Sequence, residues 1–291
     1  MSEFLNFNGT ILPSGEPLLS AGNRGFRYGD GLFETMRFQG GRIQLGDYHF
    51  ERLLTGLRLL QFRIYTDTQK KFIREIKALC EKNGHGTATP GTIATPGAGA
   101  RVRLTVFRGE EGPGDPDGAT ANYIIETSPL EAWSQELPWD GLTIGLFPGA
   151  RKACDAFSAL KSNNYLVYSM AALYARGQGW DDSLVLNSFG RIADSSIANL
   201  FYCRDGKVYT PPLSEGCVAG VMRRSLIARA AAAGFTLEEK ETTVEDLEAA
   251  EEVFLTNAIR GIRPVSRFHR MIYTGRELTG ALHRLLLTPD R

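Results

Sequence analysis

Lys161 stands in a run of residues that begin or end helices rather than continue them. In Ala159-Leu160-Lys161-Ser162-Asn163-Asn164-Tyr165-Leu166, the three positions after the lysine carry side chains that accept N–H bonds at a helix start. From Leu166 the apolar residues recur at Met170, Leu173 and Tyr174, the spacing of one helical face, and Gly177 supplies a stop. This spacing predicts a helix with that face buried and with its positive end beside Lys161. A lysine so placed titrates low, because burial and positive potential both disfavour its charged form, and a neutral amine attacks carbonyl carbon. The ordinary alternative is a solvated loop lysine.

A chain of 291 residues suggests two domains. Lys+Arg and Asp+Glu are both 33, so no basic excess points to nucleic acid. Four cysteines (80, 154, 203 and 217) form no C-x-x-C pair, which favours a reduced, cytoplasmic setting. The opening residues show neither a basic region nor an apolar signal core. No apolar run reaches the ~18 residues of a membrane span.

Along the chain, Phe4 to Leu12 reads as a hairpin on Asn8-Gly9, and Asn23 to Thr35 as a glycine-rich stretch beside a ligand or in a plain loop. A strand follows over Leu32–Phe38. Asp47 is expected to cap a helix with Phe50, Leu53, Leu54 and Leu57 inward, which leaves Arg52 off the apolar stripe. A second helix spans 68–82 with Phe72, Ile76, Leu79 and Cys80 inward. Residues 86–100 read as a flexible loop, 101–107 and 122–126 as strands, and Arg108 as the start of a turn-rich loop. The domain scheme is then 1–126, a linker over 127–139, and 140–291.

In the second half, hairpins are expected on Ser188-Phe189-Gly190 and Asp205-Gly206. Gly220 leads into an alanine-rich helix from Val221, whose first N–H groups form a candidate phosphate site. Residues 251–257 read as a buried strand and 277–287 as a closing helix. There is no Walker A loop, no G-x-G-x-x-G after a strand, no H-E-x-x-H and no G-x-S-x-G, and the histidines lack metal-ligand spacing.

Several motifs occur in order: Tyr28-Gly29-Asp30-Gly31-Leu32-Phe33-Glu34-Thr35, His49-Phe50-Glu51-Arg52-Leu53, Lys161 with Asn164, Gly190 to Phe201, Gly220-Val221-Met222-Arg223 and Thr256-Asn257-Ala258. Together they resemble the fold-type IV pyridoxal-phosphate enzymes, a group with branched-chain and D-amino-acid aminotransferases and aminodeoxychorismate lyase. The resemblance covers nearly the whole chain. It implies an α/β (α+β) fold of two domains, a small N-terminal and a larger C-terminal one, with pyridoxal 5'-phosphate in the cleft. A small-molecule substrate and a homodimer are further implications, with no nucleic acid or membrane partner.

By the same resemblance, Lys161 holds the cofactor aldehyde and then transfers the substrate proton. Arg52, Val221 and Met222 hold the phosphate. Asp194 stands where the family usually has glutamate facing the pyridine nitrogen. Ala258 matches a position that in aminotransferases is often a hydroxyl residue on the phosphate, so a contact here comes from its backbone or from Thr256. Asn257 is a candidate for both cofactor and substrate, Tyr28 and Arg108 are substrate candidates, and Arg260 and Arg263 follow. The G-[IV]-M-R pattern at 220–223, the asparagine at 257 and the Gly-Asp-Gly-Leu-Phe-Glu-Thr run favour the lyase. A class IV aminotransferase acting on branched-chain or D-amino acids with 2-oxoglutarate is the alternative, and a non-catalytic binder of the cofactor a remoter one.

Overall fold

In the computed structural model the described residues are 2–85, 99–109, 119–130, 136–138 and 140–287. They form two compact units. One holds Met1–Trp133 together with Leu160–Asn164, and the other holds Ser134–Ala159 and Tyr165–Arg291. The chain therefore leaves the first unit and returns to it for five residues, with Lys161 among them.

The first unit contains β1 (Phe4–Phe7), β2 (Thr10–Pro13), α1 (Arg24–Tyr28), β3 (Gly31–Gln39), β4 (Arg42–Ile43), α2 (Gly46–Leu59), α3 (Thr68–Lys82), β5 (Gly99–Arg108) and β6 (Ala121–Leu130). Its antiparallel sheet runs β2-β1-β6-β5-β3-β4. The β1–β2 turn uses Asn8 and Gly9, both at positive φ (52° and 93°), as an Asn-Gly hairpin requires. The helices follow their sequence periods. Phe50, Leu53 and Leu57 of α2 and Phe72, Ile76, Leu79 and Cys80 of α3 are buried in one core with Met36, Val102 and Leu104 of the sheet.

Residues 160–164 lie against β3. Phe33 N–H donates to Lys161 O at 3.0 Å and Asn163 N–H to Gly31 O at 2.9 Å, an antiparallel bridge between Leu32 and Ser162. Gly31 makes this approach possible, because a Cβ there would lie 2.2 Å from Val106 O and 2.6 Å from Asn163 Nδ2.

The second unit contains β7 (Leu142–Lys152), α4 (Leu166–Gly177), β8 (Asp182–Asn187), β9 (Ile192–Ser195), β10 (Asn199–Arg204), β11 (Lys207–Thr210), α5 (Val221–Ala232), β12 (Leu237–Glu239), α6 (Val244–Glu248), β13 (Glu252–Asn257), β14 (Gly261–Phe268), β15 (Met271–Ile272) and α7 (Glu277–Leu287). Its sheet runs β12-β11-β10-β13-β14-β7-β8-β9, with β15 on β14. The β7–β8, β7–β14 and β11–β12 pairs are parallel. On one side Phe201, Phe254, Leu226 and Leu282 form a core with α5 and α7. Ile144, Leu200, Leu255 and Val265 belong to a second core, with Leu247 of α6.

Several local expectations are corrected. The helix after Lys161 begins with Tyr165 as its N-cap and has no side-chain cap, and Ser162 and Asn163 belong to the β3 bridge instead. Three of the four residues of its expected core face are exposed, Leu166 at 69%, Met170 at 45% and Leu173 at 51%, while Tyr174 packs half-buried against a core with Tyr168 and Ala171, and Ala175 is buried as well. The buried face follows the smaller residues because α4 packs closely on β7 and β8, with Ala171 O accepting from Ser183 Oγ at 2.8 Å. Asp47 does not cap α2, which begins at Gly46 after Leu45 in a left-handed conformation. The glycine-rich stretch holds a short helix, α1, capped by Asn23 and ended by Gly29 at φ 66°. Strand β6 runs to Leu130, into the expected linker, while 131–135 and 139 lie outside the described residues. So do most of the expected flexible loop (86–98) and of the turn-rich loop after Arg108 (110–118).

Candidate active site

In the first unit, alternation along β3 points consecutive side chains to opposite faces. Phe33 carries two cations against its ring, with Lys161 Nζ 4.4 Å and Arg103 Cζ 4.0 Å from the centroid. Glu34 points the other way, into the α2 interface, where it is 1% exposed. There it accepts Arg52 Nε at 2.8 Å and Nη2 at 2.5 Å, and pairs with His49 Nδ1 at 2.6 Å. Burial alone would raise the Glu34 carboxyl, but Arg52 and His49 outweigh it and hold the value down to about 2. Burial lowers His49 against the pull of Glu34, with the charges of Arg52 and Lys161 lowering it further. A neutral His49 carrying its proton on Nδ1 satisfies this geometry as donor to Glu34. Its Nε2 finds no hydrogen-bond partner among the described residues.

The other first-unit candidates differ. Tyr28 ends α1 at 65% exposure, with the Arg24 guanidinium over its ring. Arg108 is the last residue of β5 and 9% exposed, not the open loop cation its sequence context suggests. It donates to Asp30 Oδ2 at 2.9 Å and to Leu60 O at 2.6 Å, with Phe62 beneath it.

In the second unit, Asp194 of β9 is 2% exposed. Its Oδ2 accepts the Tyr168 hydroxyl at 2.8 Å and the Val218 N–H at 2.9 Å. Val218 begins the turn that feeds α5. The first helical bond of α5 is from Arg224 N–H to Gly220 O, so the N–H groups of Val221, Met222 and Arg223 precede the ladder, and Gly220 supplies no cap. A Cβ at Gly220 would lie 1.8 Å from Asn199 Oδ1, which excludes any larger residue from this turn. Asn199 also ties the turn down, donating to Val218 O at 2.8 Å. Across the sheet from Asn199 lies Thr256, whose buried hydroxyl has no hydrogen-bond partner among the described residues. Asn257 spends Oδ1 on the N–H groups of Ile259 and Arg260, at 3.1 and 2.8 Å, and so shapes the turn that carries Ala258.

Within the second unit the α5 amides and the unmet Thr256 hydroxyl are anion donors and the Asp194 carboxylate is an acceptor for a protonated ring nitrogen, and within the first unit Lys161 carries an amine that can meet an aldehyde; each is a group that a phosphorylated heteroaromatic aldehyde calls for. The amino-transferase class IV model matches residues 31–268, which include Lys161, Arg52, Asp194 and the α5 turn. The chain belongs to the class IV aminotransferase family. Aminodeoxychorismate lyase of Bacillus subtilis (strain 168) is 28% identical to it over 284 residues, 96% of this chain and 92% of the relative. The solved 4-amino-4-deoxychorismate lyase of Pseudomonas aeruginosa superposes with a TM-score of 0.80 at 30% identity, covering 97% of each chain. A hypothetical aminotransferase from Mycobacterium tuberculosis, solved in its PLP-bound form, shares the fold at a TM-score of 0.79 and 20% identity, covering 97% of each chain.

This class IV protein is an enzyme. Sequence reasoning gave no separate role to Glu34, Arg103 or Tyr168. One signal was available for Glu34. His49 and Arg52 are three apart on α2 and so share a face, and two such side chains turned inward call for a buried anion.

Proposed function

We propose that this enzyme is a 4-amino-4-deoxychorismate lyase that releases p-aminobenzoate and pyruvate. The observation that carries the reading is its likeness, over 97% of both chains, to the Pseudomonas aeruginosa lyase. When bound, the cofactor accepts the electron pair left on the substrate carbon as its proton departs. Lys161 Nζ would hold the cofactor aldehyde and would take the proton from the substrate carbon bearing nitrogen. The enolpyruvyl C–O bond then breaks, the six-membered ring becomes aromatic, and the enol leaves to gain a proton as pyruvate.

The remaining residues bind and orient. The Val221 and Met222 amides, with Arg52 and Thr256, take the phosphate, and Asp194 faces the pyridine nitrogen. Arg103 supplies a cation for a substrate carboxylate, since it lies on the same Phe33 ring as Lys161. Asn257 and Ala258 border the substrate through the turn they form. Tyr28 and Arg108 are further substrate candidates, with Arg108 holding Asp30.

A homodimer belongs to this reading. Leu166, Met170 and Leu173 form an exposed apolar stripe at i, i+4, i+7 on α4, the kind of surface a second copy covers. A cytoplasmic setting fits the four unpaired cysteines.

The experiment supplies aminodeoxychorismate without a keto acid and, separately, amino acids with 2-oxoglutarate. Elimination needs no second substrate, so p-aminobenzoate should accumulate over many turnovers in the first mixture. Cofactor converted to its amine form by amino acids, with no p-aminobenzoate formed, assigns an aminotransferase instead.

A further inference from the structure

A second lysine is wired to the acid of the site. Lys152 ends β7 with a side chain only 10% exposed, and its Nζ stands 4.0 Å from Asp194 Oδ2. Nζ donates to Tyr168 Oη at 2.5 Å and to Ser158 O at 3.1 Å. The Tyr168 hydroxyl in turn donates to Asp194 Oδ2 at 2.8 Å. All of these residues belong to the second unit.

Donor chemistry fixes the direction of this chain. An ammonium has no acceptor and a carboxylate has no donor, so the one phenolic hydrogen of Tyr168 must point to Asp194 while its lone pair meets Lys152. Burial and the Asp194 charge hold the phenol well above its usual value, so Tyr168 remains a neutral relay. Tyr165 packs on the Tyr168 ring at 4.7 Å, and the Cys217 thiol, pushed up to about 12 mainly by burial, also stays neutral. Lys152 thus supplies positive charge to a carboxylate that is 2% exposed and that would otherwise be costly to keep ionised. Bonds linked in series polarise one another, so removing the far end weakens the near one.

We propose that Lys152 is a positioning residue for Asp194: acting through Tyr168, it keeps the carboxylate ionised and aimed, and so sets the protonation of the cofactor's ring nitrogen. This rests on the reading that Asp194 faces that nitrogen. Lys161 serves the aldehyde, and Lys152, spent on Tyr168 and Ser158, serves the opposite end of the chemistry.

The test uses holoenzyme reconstituted with pyridoxal phosphate carrying 15N in its ring and reads the ring-nitrogen NMR shift at neutral pH. The expected wild-type signal is that of a protonated pyridine. Lys152→Met and Tyr168→Phe should each move it toward the unprotonated position. The double variant should move it no further, since both changes cut one chain. Lys152→Arg, which retains the cation, should restore the wild-type signal. Cofactor dissociation constants should rise by roughly tenfold in the two single variants. A purely structural lysine would lower the melting temperature and leave the shift in place, which overturns the proposal. If Lys152→Met does not fold, Tyr168→Phe alone gives the same decision. Asp194→Asn separates the two readings. An unchanged shift in that variant removes Asp194 from the ring nitrogen. A shift moved by Asp194→Asn but not by Lys152→Met or Tyr168→Phe ends the relay alone.

Discussion

Glu34 grips Arg52 with both carboxylate oxygens, accepting Nε at 2.8 Å and Nη2 at 2.5 Å. The pair joins β3 to α2 in a site where the carboxylate is 1% and the guanidinium 12% exposed. A planar fork held on one edge is fixed in orientation before any anion arrives, which lowers the ordering cost of binding. The same grip makes Arg52 a structural residue as well as a phosphate candidate, and the two roles can be separated.

Glu34→Gln should lower stability by on the order of 3 kcal/mol near neutral pH, because a carboxyl held about 2.5 units below its ordinary value stores roughly 1.4 kcal/mol per unit. The sign is that of a depressed acid. The contribution is complete above the ordinary value of 4.5 and is lost as pH falls through the folded value of about 2. Urea unfolding at pH values across that window checks it. A Glu34→Gln variant with the wild-type slope between pH 4.5 and 2 would refute the assignment.

Arg52→Ala should weaken pyridoxal-phosphate binding by about 10- to 150-fold, the worth of a charge-assisted contact of roughly 1.5–3 kcal/mol. It should also destabilise the apoprotein, since Glu34 is left buried with only His49 beside it. Cofactor titration below the melting temperature isolates the first effect. Unchanged affinity together with lost stability would confine Arg52 to the structural role.

Lys161→Ala should abolish trapping of the cofactor by borohydride, and in the wild type the pyridoxyl label should map to the peptide containing Lys161. Recovery of the label on Lys152 would exchange the roles of the two lysines.

Gly31→Ala should disrupt the approach of residues 160–164 to β3, because the new Cβ would lie 2.6 Å from Asn163 Nδ2, and it would also crowd Val106 O of β5 at 2.2 Å. Overpacking at such a contact costs about 1–3 kcal/mol. Activity should fall even where the protein remains folded, since Lys161 is carried on the displaced segment. Wild-type turnover in a folded Gly31→Ala protein would show that the bridge does not position the lysine.

Arg103→Ala should raise KM for a carboxylate substrate by about 10-fold or more while the protein keeps its fold, as Arg103 stacks half-buried on Phe33 and is no part of the apolar core. Steady-state kinetics with thermal melts distinguishes this from general damage.

Helix and strand identity in this chain is carried by local periodicity, so α3, α7 and the paired hairpins are legible without any fold in hand. Phe72, Ile76 and Leu79 face one way wherever that helix is placed. Lys161 and Asp194 can be named from motif order, because the chemistry of an amine and a carboxylate depends on residue type. The exposed stripe of α4 shows the limit of this reasoning. Period selects a face, but packing against β7 and β8 selects which face is buried, and the small side chains of Ala171 and Ala175 won over Leu166, Met170 and Leu173. Tertiary structure alone sets Lys161 on β3 rather than at a helix cap, since the backbone bonds of residues 161–163 go to Phe33 and Gly31, some 130 residues earlier. It also decides that Glu34 faces Arg52 and that Lys152 reaches Asp194 through Tyr168. Hydrogen bonds have directions and lengths of about 3 Å, and residues so far apart in sequence meet those conditions only once the chain has folded.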